Sequence, residues 1–91
     1  WAHLTLGAVD SAEQYAARAR ALAERAGAPL VAARATSNQG AIAWRRGDPA
    51  TAEALFLQAL AVQRAHGDDR ETAGSLNNLG FLYSTDLADY A

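Results

Sequence analysis

Cysteine, methionine and lysine are all missing from this chain, and it holds only two prolines. Without cysteine there is no disulfide framework and no thiolate metal site, which fits a reducing compartment. Without lysine, all eight basic residues are arginine; with so much alanine, that bias points to a GC-rich genome and hence a bacterial source. A net charge of -2 lacks the basic footprint that nucleic-acid binding needs. No apolar run approaches the roughly 20 residues of a membrane span, and no basic start followed by an apolar stretch marks a signal peptide. A cytoplasmic protein with neither nucleic acid nor membrane as partner is therefore expected. Large side chains are also scarce. Apolar residues make up 51% of the chain, but about half of them are alanine, as suits helices that pack close together.

What the chain does have is a repeat. Gly7 recurs as Gly47, Ala12-Glu13 as Ala52-Glu53, Ala19 as Ala59, Gly27 as Gly67, Ala33 as Ala73, Asn38 as Asn78 and Gly40 as Gly80. A fixed period of roughly 20 to 50 residues marks a solenoid, whose units cannot bury their apolar faces alone and stack on their neighbours. The register divides the chain into a partial repeat at 1–27, a repeat at 28–67 and a partial repeat at 68–91. With Trp1 in place of an initiator methionine, the expectation is one domain cut from a longer array.

Between the glycines the apolar spacing is helical. Ala12, Tyr15, Ala16, Ala19, Leu22, Ala23 and Ala26 fall at three- and four-residue steps, which predicts a helix from Asp10 to Ala26 with a capping box at Asp10 and Glu13. Residues 1–6 then belong to the tail of a preceding helix, and Gly7 to a turn. Pro29 opens a second helix that runs to Arg46, where Arg45 and Arg46 face the negative end of the dipole. Asp48 caps and Pro49 opens a third, ending near His66 before Gly67. Asp68-Asp69 starts a fourth that ends near Thr85, and a further start is expected at Asp86 to Ala91.

The run from Ala73 to Tyr83, AGSLNNLGFLY, and the run from Gly47 to Phe56, GDPATAEALF, with Ala59 following, resemble the first and second helices of tetratricopeptide repeats. The long period is similar to the variant found in kinesin light chains and many bacterial regulators. Leu76, Leu79, Gly80 and Tyr83 fill the signature positions of a first helix; Ala52, Phe56 and Ala59 fill those of a second. The resemblance implies an all-α, right-handed superhelix of antiparallel hairpins that acts by binding. In the middle repeat Gln39 stands where leucine is usual, with Trp44 as a candidate for the missing bulk, and Leu87 stands where a turn glycine is expected. Mid-helix glycine costs about 1 kcal/mol against alanine, so at Gly40 and Gly80 the backbone of a neighbouring helix is expected to come too close for a side chain, with a hinge as the alternative.

Little in the chain supports catalysis. His3 and His66 have no second ligand at metal spacing, and His66 suits a last helical turn. The cluster Asp68, Asp69 and Glu71 lacks the further oxygens of a calcium loop and reads as a cap and first turn. No phosphate loop or nucleophile elbow is present. Neither an enzyme, a cofactor nor a metal is expected.

Arg34, Asn38, Ala41 and Arg45 line one helix face, and Gly74, Asn78, Phe81 and Thr85 are their equivalents one period on. In the family, the first helices line the concave groove, and related repeats use an asparagine at this position to hold a bound peptide's backbone or carboxylate. An amide carries donors and an acceptor and so satisfies a main chain whatever its sequence. The alternative is that Asn38 and Asn78 bond neighbouring helices. The helix from Pro29 to Arg46 holds Arg34, Arg45 and Arg46 and no acid. That favours an acidic partner, unless these arginines serve only the helix dipole and solvent.

The groove assigned from sequence is therefore Arg34, Asn38, Ala41, Arg45, Asn78 and Phe81, binding an extended peptide segment of a protein partner. Two other roles fit the same chain: the sensor or regulatory part of a larger bacterial signalling protein or transcription regulator, and a self-associating repeat. In the last, exposed apolar ends at Trp1, Leu4, Leu6, Leu87 and Tyr90 would join copies into a homo-oligomer.

Overall fold

The computed structural model describes the backbone of residues 2–90 and the side chains of residues 10–84. Four helices follow one another: α1 (Ala2–Arg25), α2 (Pro29–Arg45), α3 (Pro49–Ala65) and α4 (Asp69–Tyr90). Each packs on the next, in the order α1 on α2, α2 on α3 and α3 on α4, which makes the chain an all-α solenoid.

The three turns are copies of one device. Gly27, Gly47 and Gly67 have φ of 68°, 80° and 66°, the left-handed region that side-chain-bearing residues avoid. Each glycine lets the next N–H reach back to the helix it leaves: Ala28 to the Ala23 carbonyl at 2.9 Å, Asp48 to Ala43 at 3.0 Å and Asp68 to Gln63 at 3.0 Å. This is the double C-terminal closure that satisfies the orphan carbonyls of a helix end. The following helix then starts at once, on Pro29 or Pro49 or on Asp69. Asp48 accepts the Thr51 N–H at 3.2 Å and Asp68 accepts that of Glu71 at 3.0 Å. The Thr51 hydroxyl, and then its N–H, hold the Asp48 carboxyl below the ordinary carboxylate range.

Two expected breaks do not form. α1 runs unbroken through Gly7, and Asp10 is a mid-helix residue rather than a cap; α4 runs unbroken through Thr85 and Asp86. At the internal turn Gly47 is followed by Asp48 and Pro49, whose ring forbids helix continuation. After Gly7, Val9 stands in the proline's place, and Leu87 stands where Gly47 would recur. A lone glycine adds only about 1 kcal/mol to a continuing helix. The side chains of Trp1, Leu4, Leu6, Leu87 and Tyr90 lie outside the described residues.

The core is built on Phe56, which is 4% exposed and clusters with Ala43, Ala52, Leu60, Leu79 and Leu82 from α2, α3 and α4. Gly40 is the reason the ring fits, since a Cβ there would lie 2.7 Å from the Phe56 Cε1 atom. The close neighbour is thus an aromatic side chain, where a backbone was expected. Gly80 differs, with nothing within 4 Å of the site a Cβ would take. The expected close approach is absent there because nothing among the described residues covers that face of α4. One polar pair is sealed inside the α3–α4 contact: the Ser75 hydroxyl donates to the Gln63 Oε1 at 2.6 Å. One period earlier the same two positions hold Ala23 and Ala35, both buried.

The two mid-helix glycines should respond oppositely to alanine. Gly40→Ala drives a methyl into a ring that is hemmed in by the core, a cost of about 1 to 3 kcal/mol that exceeds the helix-propensity gain. Gly80→Ala meets open space and should stabilise by roughly 0.5 to 1 kcal/mol. Urea denaturation of the two variants measures both signs. The buried pair gives a second test. Ser75→Ala strands the Gln63 amide and should cost about 1 to 3 kcal/mol, most of it recovered when Gln63→Leu is added so that neither polar partner remains; the same denaturation series compares the single and double variants.

Candidate functional site

The groove face is shared by α2 and α4. On α2, Ala41, Trp44 and Arg45 follow at helical spacing, and on α4 Asn78, Phe81 and Leu82 face them across a hollow of about 180 Å³, with Phe56 as its floor. Trp44 meets Phe81 edge-on, with ring centroids 5.4 Å apart at 66°, a favoured geometry for an aromatic pair. Trp44 therefore builds this wall and does not fill the place of the leucine that Gln39 replaces. Gln39 instead accepts a hydrogen bond from Arg20 at 3.0 Å. Phe81 is 60% exposed, so a large aromatic surface faces outward at this point.

A second hollow, of about 450 Å³, lies on the other side of α2. It is bounded by Asn38, Ala41, Ile42 and Arg45 and, on α1, by Ala12, Tyr15, Ala16 and Ala19. Ala41 and Arg45 thus form the ridge between the two hollows. Five of the six groove residues expected from sequence border one or both. Arg34 does not, because its guanidinium pairs with Glu71 of α4 at 2.8 Å.

Arg34 and Arg45 of α2 and its capping residue Arg46 part company in the structure. Arg46 turns to α1, where it binds Asp10 and also Glu13, the latter at 2.7 Å. The hydrogen bond it donates to Asp10 comes first among the effects that raise its pKa. Asp10, expected as a helix cap, is thus one jaw of a clamp between helices. Arg34 is neutralised by Glu71. Arg45 is exposed and has no ion-pair partner among the described residues, so the positive charge expected along the helix is concentrated there. Behind the groove, Tyr83 bonds Glu53, and that bond first and burial second push its phenol above the ordinary value.

Sequence reasoning missed Trp44, Tyr15 and Ile42 as lining residues. The signal for Trp44 was available, since it falls three residues after Ala41 and one before Arg45, on the same face. Among the described residues, no group of histidine, cysteine or acidic side chains could hold a metal ion, and no helix is long and apolar enough to cross a membrane.

A family model described as tetratricopeptide repeat matches residues 31–91. The chain belongs to the tetratricopeptide repeat family. The match begins in α2 and takes in the hairpin of α2 with α3 and all of α4, hence both walls of the smaller hollow. Tetratricopeptide repeats mediate protein–protein interaction, and they are not a catalytic fold. No curated protein and no solved structure matches the chain.

Proposed function

We propose that this tetratricopeptide-repeat chain holds an extended peptide segment of another protein in the groove between α2 and α4. The observation that carries this reading is the placement of Asn78 and Arg45 on the rim of a hollow walled by Trp44 and Phe81. Each part has a use. The Asn78 amide can both donate to and accept from a peptide main chain, and the aromatic walls receive one apolar side chain of the segment. Arg45, which has no ion-pair partner among the described residues, favours a carboxylate beside that side chain. The partner chemistry is thus an apolar residue flanked by acids, presented in extended form.

Arg34 contributes less in this reading because its charge is already met by Glu71. Asn38 lies in the wider hollow beside Tyr15 and continues the same line along α2.

Selection from a random peptide library, followed by calorimetry, tests the assignment. Asn78→Ala should weaken binding by about 1 to 3 kcal/mol and leave the melting temperature nearly unchanged, since the exposed amide supports no core contact. Arg45→Ala should weaken binding more at low salt than at high, as the screening length falls from about 10 to 3 Å. Arg34→Ala should have the smaller effect of the two arginines. Selected peptides without an apolar-acidic pattern, or an Asn78→Ala variant that binds as tightly as the parent, would count against the groove.

A further inference from the structure

α2 and α4 keep one register along the groove. Arg34 pairs with Glu71, 37 residues on, and Trp44 meets Phe81 at the same offset. That offset also carries Ala41 to Asn78 and Arg45 to Leu82, all four of which border the smaller hollow. The two cations on this face of α2 therefore look across at different groups. Arg34 has a carboxylate opposite, whereas Arg45 has Leu82, which is buried and brings no charge. The two arginines are about 16 Å apart along the helix axis, at 1.5 Å per residue.

The Arg34–Glu71 pair is not what holds the two helices together. Phe56 does that from α3, through Ala43 of α2 and Leu79 and Leu82 of α4. The ion pair lies at the surface, with the Arg34 side chain 67% exposed, and such a pair adds little to stability. Nor does the repeat demand it, since Val31 stands in the place of Glu71 one period earlier and Gly74 in that of Arg34 one period later. Glu71 meets one guanidinium nitrogen of Arg34, so another carboxylate can replace it without disturbing the core.

On the footing that this groove takes a peptide, we infer that Glu71 stands in for a carboxylate of the partner. The chain then recognises a segment with two acids: one rests on Arg45 beside the apolar side chain in the hollow, and the other displaces Glu71 from Arg34. Helix geometry sets their spacing. An extended segment advances about 3.3 Å per residue, so about five residues separate the two acids, and the apolar residue lies between them. Glu71 also makes the second contact selective. It is tethered to its arginine, so a carboxylate free in solution competes poorly, and an acid already tethered to the groove competes on equal terms.

Calorimetry tests this at about 0.15 M salt, where charges as far apart as the two arginines are largely screened from one another. The probes are synthetic glycine-serine peptides with one leucine next to one aspartate, titrated to millimolar concentration. A second set adds another aspartate beyond the leucine, about five or about nine residues from the first, in both chain directions. In one direction the five-residue spacing should bind the parent chain up to about fivefold more tightly than the single-acid peptide, and the nine-residue spacing should bring no gain. Glu71→Gln should tighten that favoured peptide by a further two- to fivefold or so and leave the single-acid peptide unchanged. Arg34→Ala should remove the advantage of the second acid. Equal gains at both spacings overturn the inference, as does a Glu71→Gln variant that moves both peptides alike or neither. Asn78→Ala with the single-acid peptide reads the groove separately. If it weakens binding while the second acid is silent, the role of Glu71 alone is lost; if the single-acid peptide does not bind, or binds Asn78→Ala as tightly as the parent, the groove and this inference fall together.

Discussion

Everything in this small solenoid depends on a ring laid against a bare backbone. Phe56 reaches Gly40 closely enough that even a methyl would not fit, and from there it touches residues of three helices at once. In a chain so rich in alanine, few side chains are large enough to span more than one contact. Burying one such ring is worth about 1.5 to 3 kcal/mol, a large part of the stability of a domain this size. The same ring is the floor of the hollow between α2 and α4. Stability and the candidate binding surface therefore rest on one side chain, and the groove's shape follows from a packing requirement.

Where bulk runs out, the helices are joined by polar contacts. α1 faces the rest of the chain largely with alanine, and it is tied down by Arg46 on Asp10 and Glu13 and by Arg20 on Gln39 and Gln58. All but the part-buried Arg20–Gln39 bond are exposed, and exposed ion pairs hold geometry more than they add stability. The α3–α4 contact instead buries its polar pair, where a hydroxyl and an amide satisfy each other in the absence of water. One solenoid thus uses two ways of fixing register, sorted by how much apolar surface each contact can hide.

The turns were legible in the sequence because glycine and proline act locally. Gly47-Asp48-Pro49 specifies a left-handed residue, a cap and a fixed φ with no reference to the rest of the chain. The expected break in α1 does not form because the periodic match at Gly7 carried over the glycine without the proline, and the one in α4 because Leu87 stands where the turn glycine would recur. Gly80 was misread for another reason. A mid-helix glycine shows that a position is bare, and what lies opposite is set by a different element. Arg45 and Arg46 look alike in sequence and lie about 100° apart around the helix, so one reaches the groove and the other reaches α1. That Arg34, Asn38, Ala41 and Arg45 share one face follows from helical spacing, whereas the pairing of Arg34 with Glu71 joins residues 37 apart and no local pattern announces it.

Asn38 and Asn78 hold the same register, yet they are not equivalent surfaces. Asn78 borders a narrow hollow walled by two aromatic rings; Asn38 borders one more than twice as large, lined on α1 by three alanines and Tyr15. A peptide amide gains little net free energy from a hydrogen bond that water can replace, and more where neighbouring rings exclude water. The identity of the residue sets what can be bonded, and the neighbours set what that bond is worth. On those grounds the neighbouring helix, not the repeated asparagine by itself, sets what each position could offer a partner: Asn78 has Trp44 of α2 across its hollow, and Asn38 has only Tyr15 and alanines of α1 across its own.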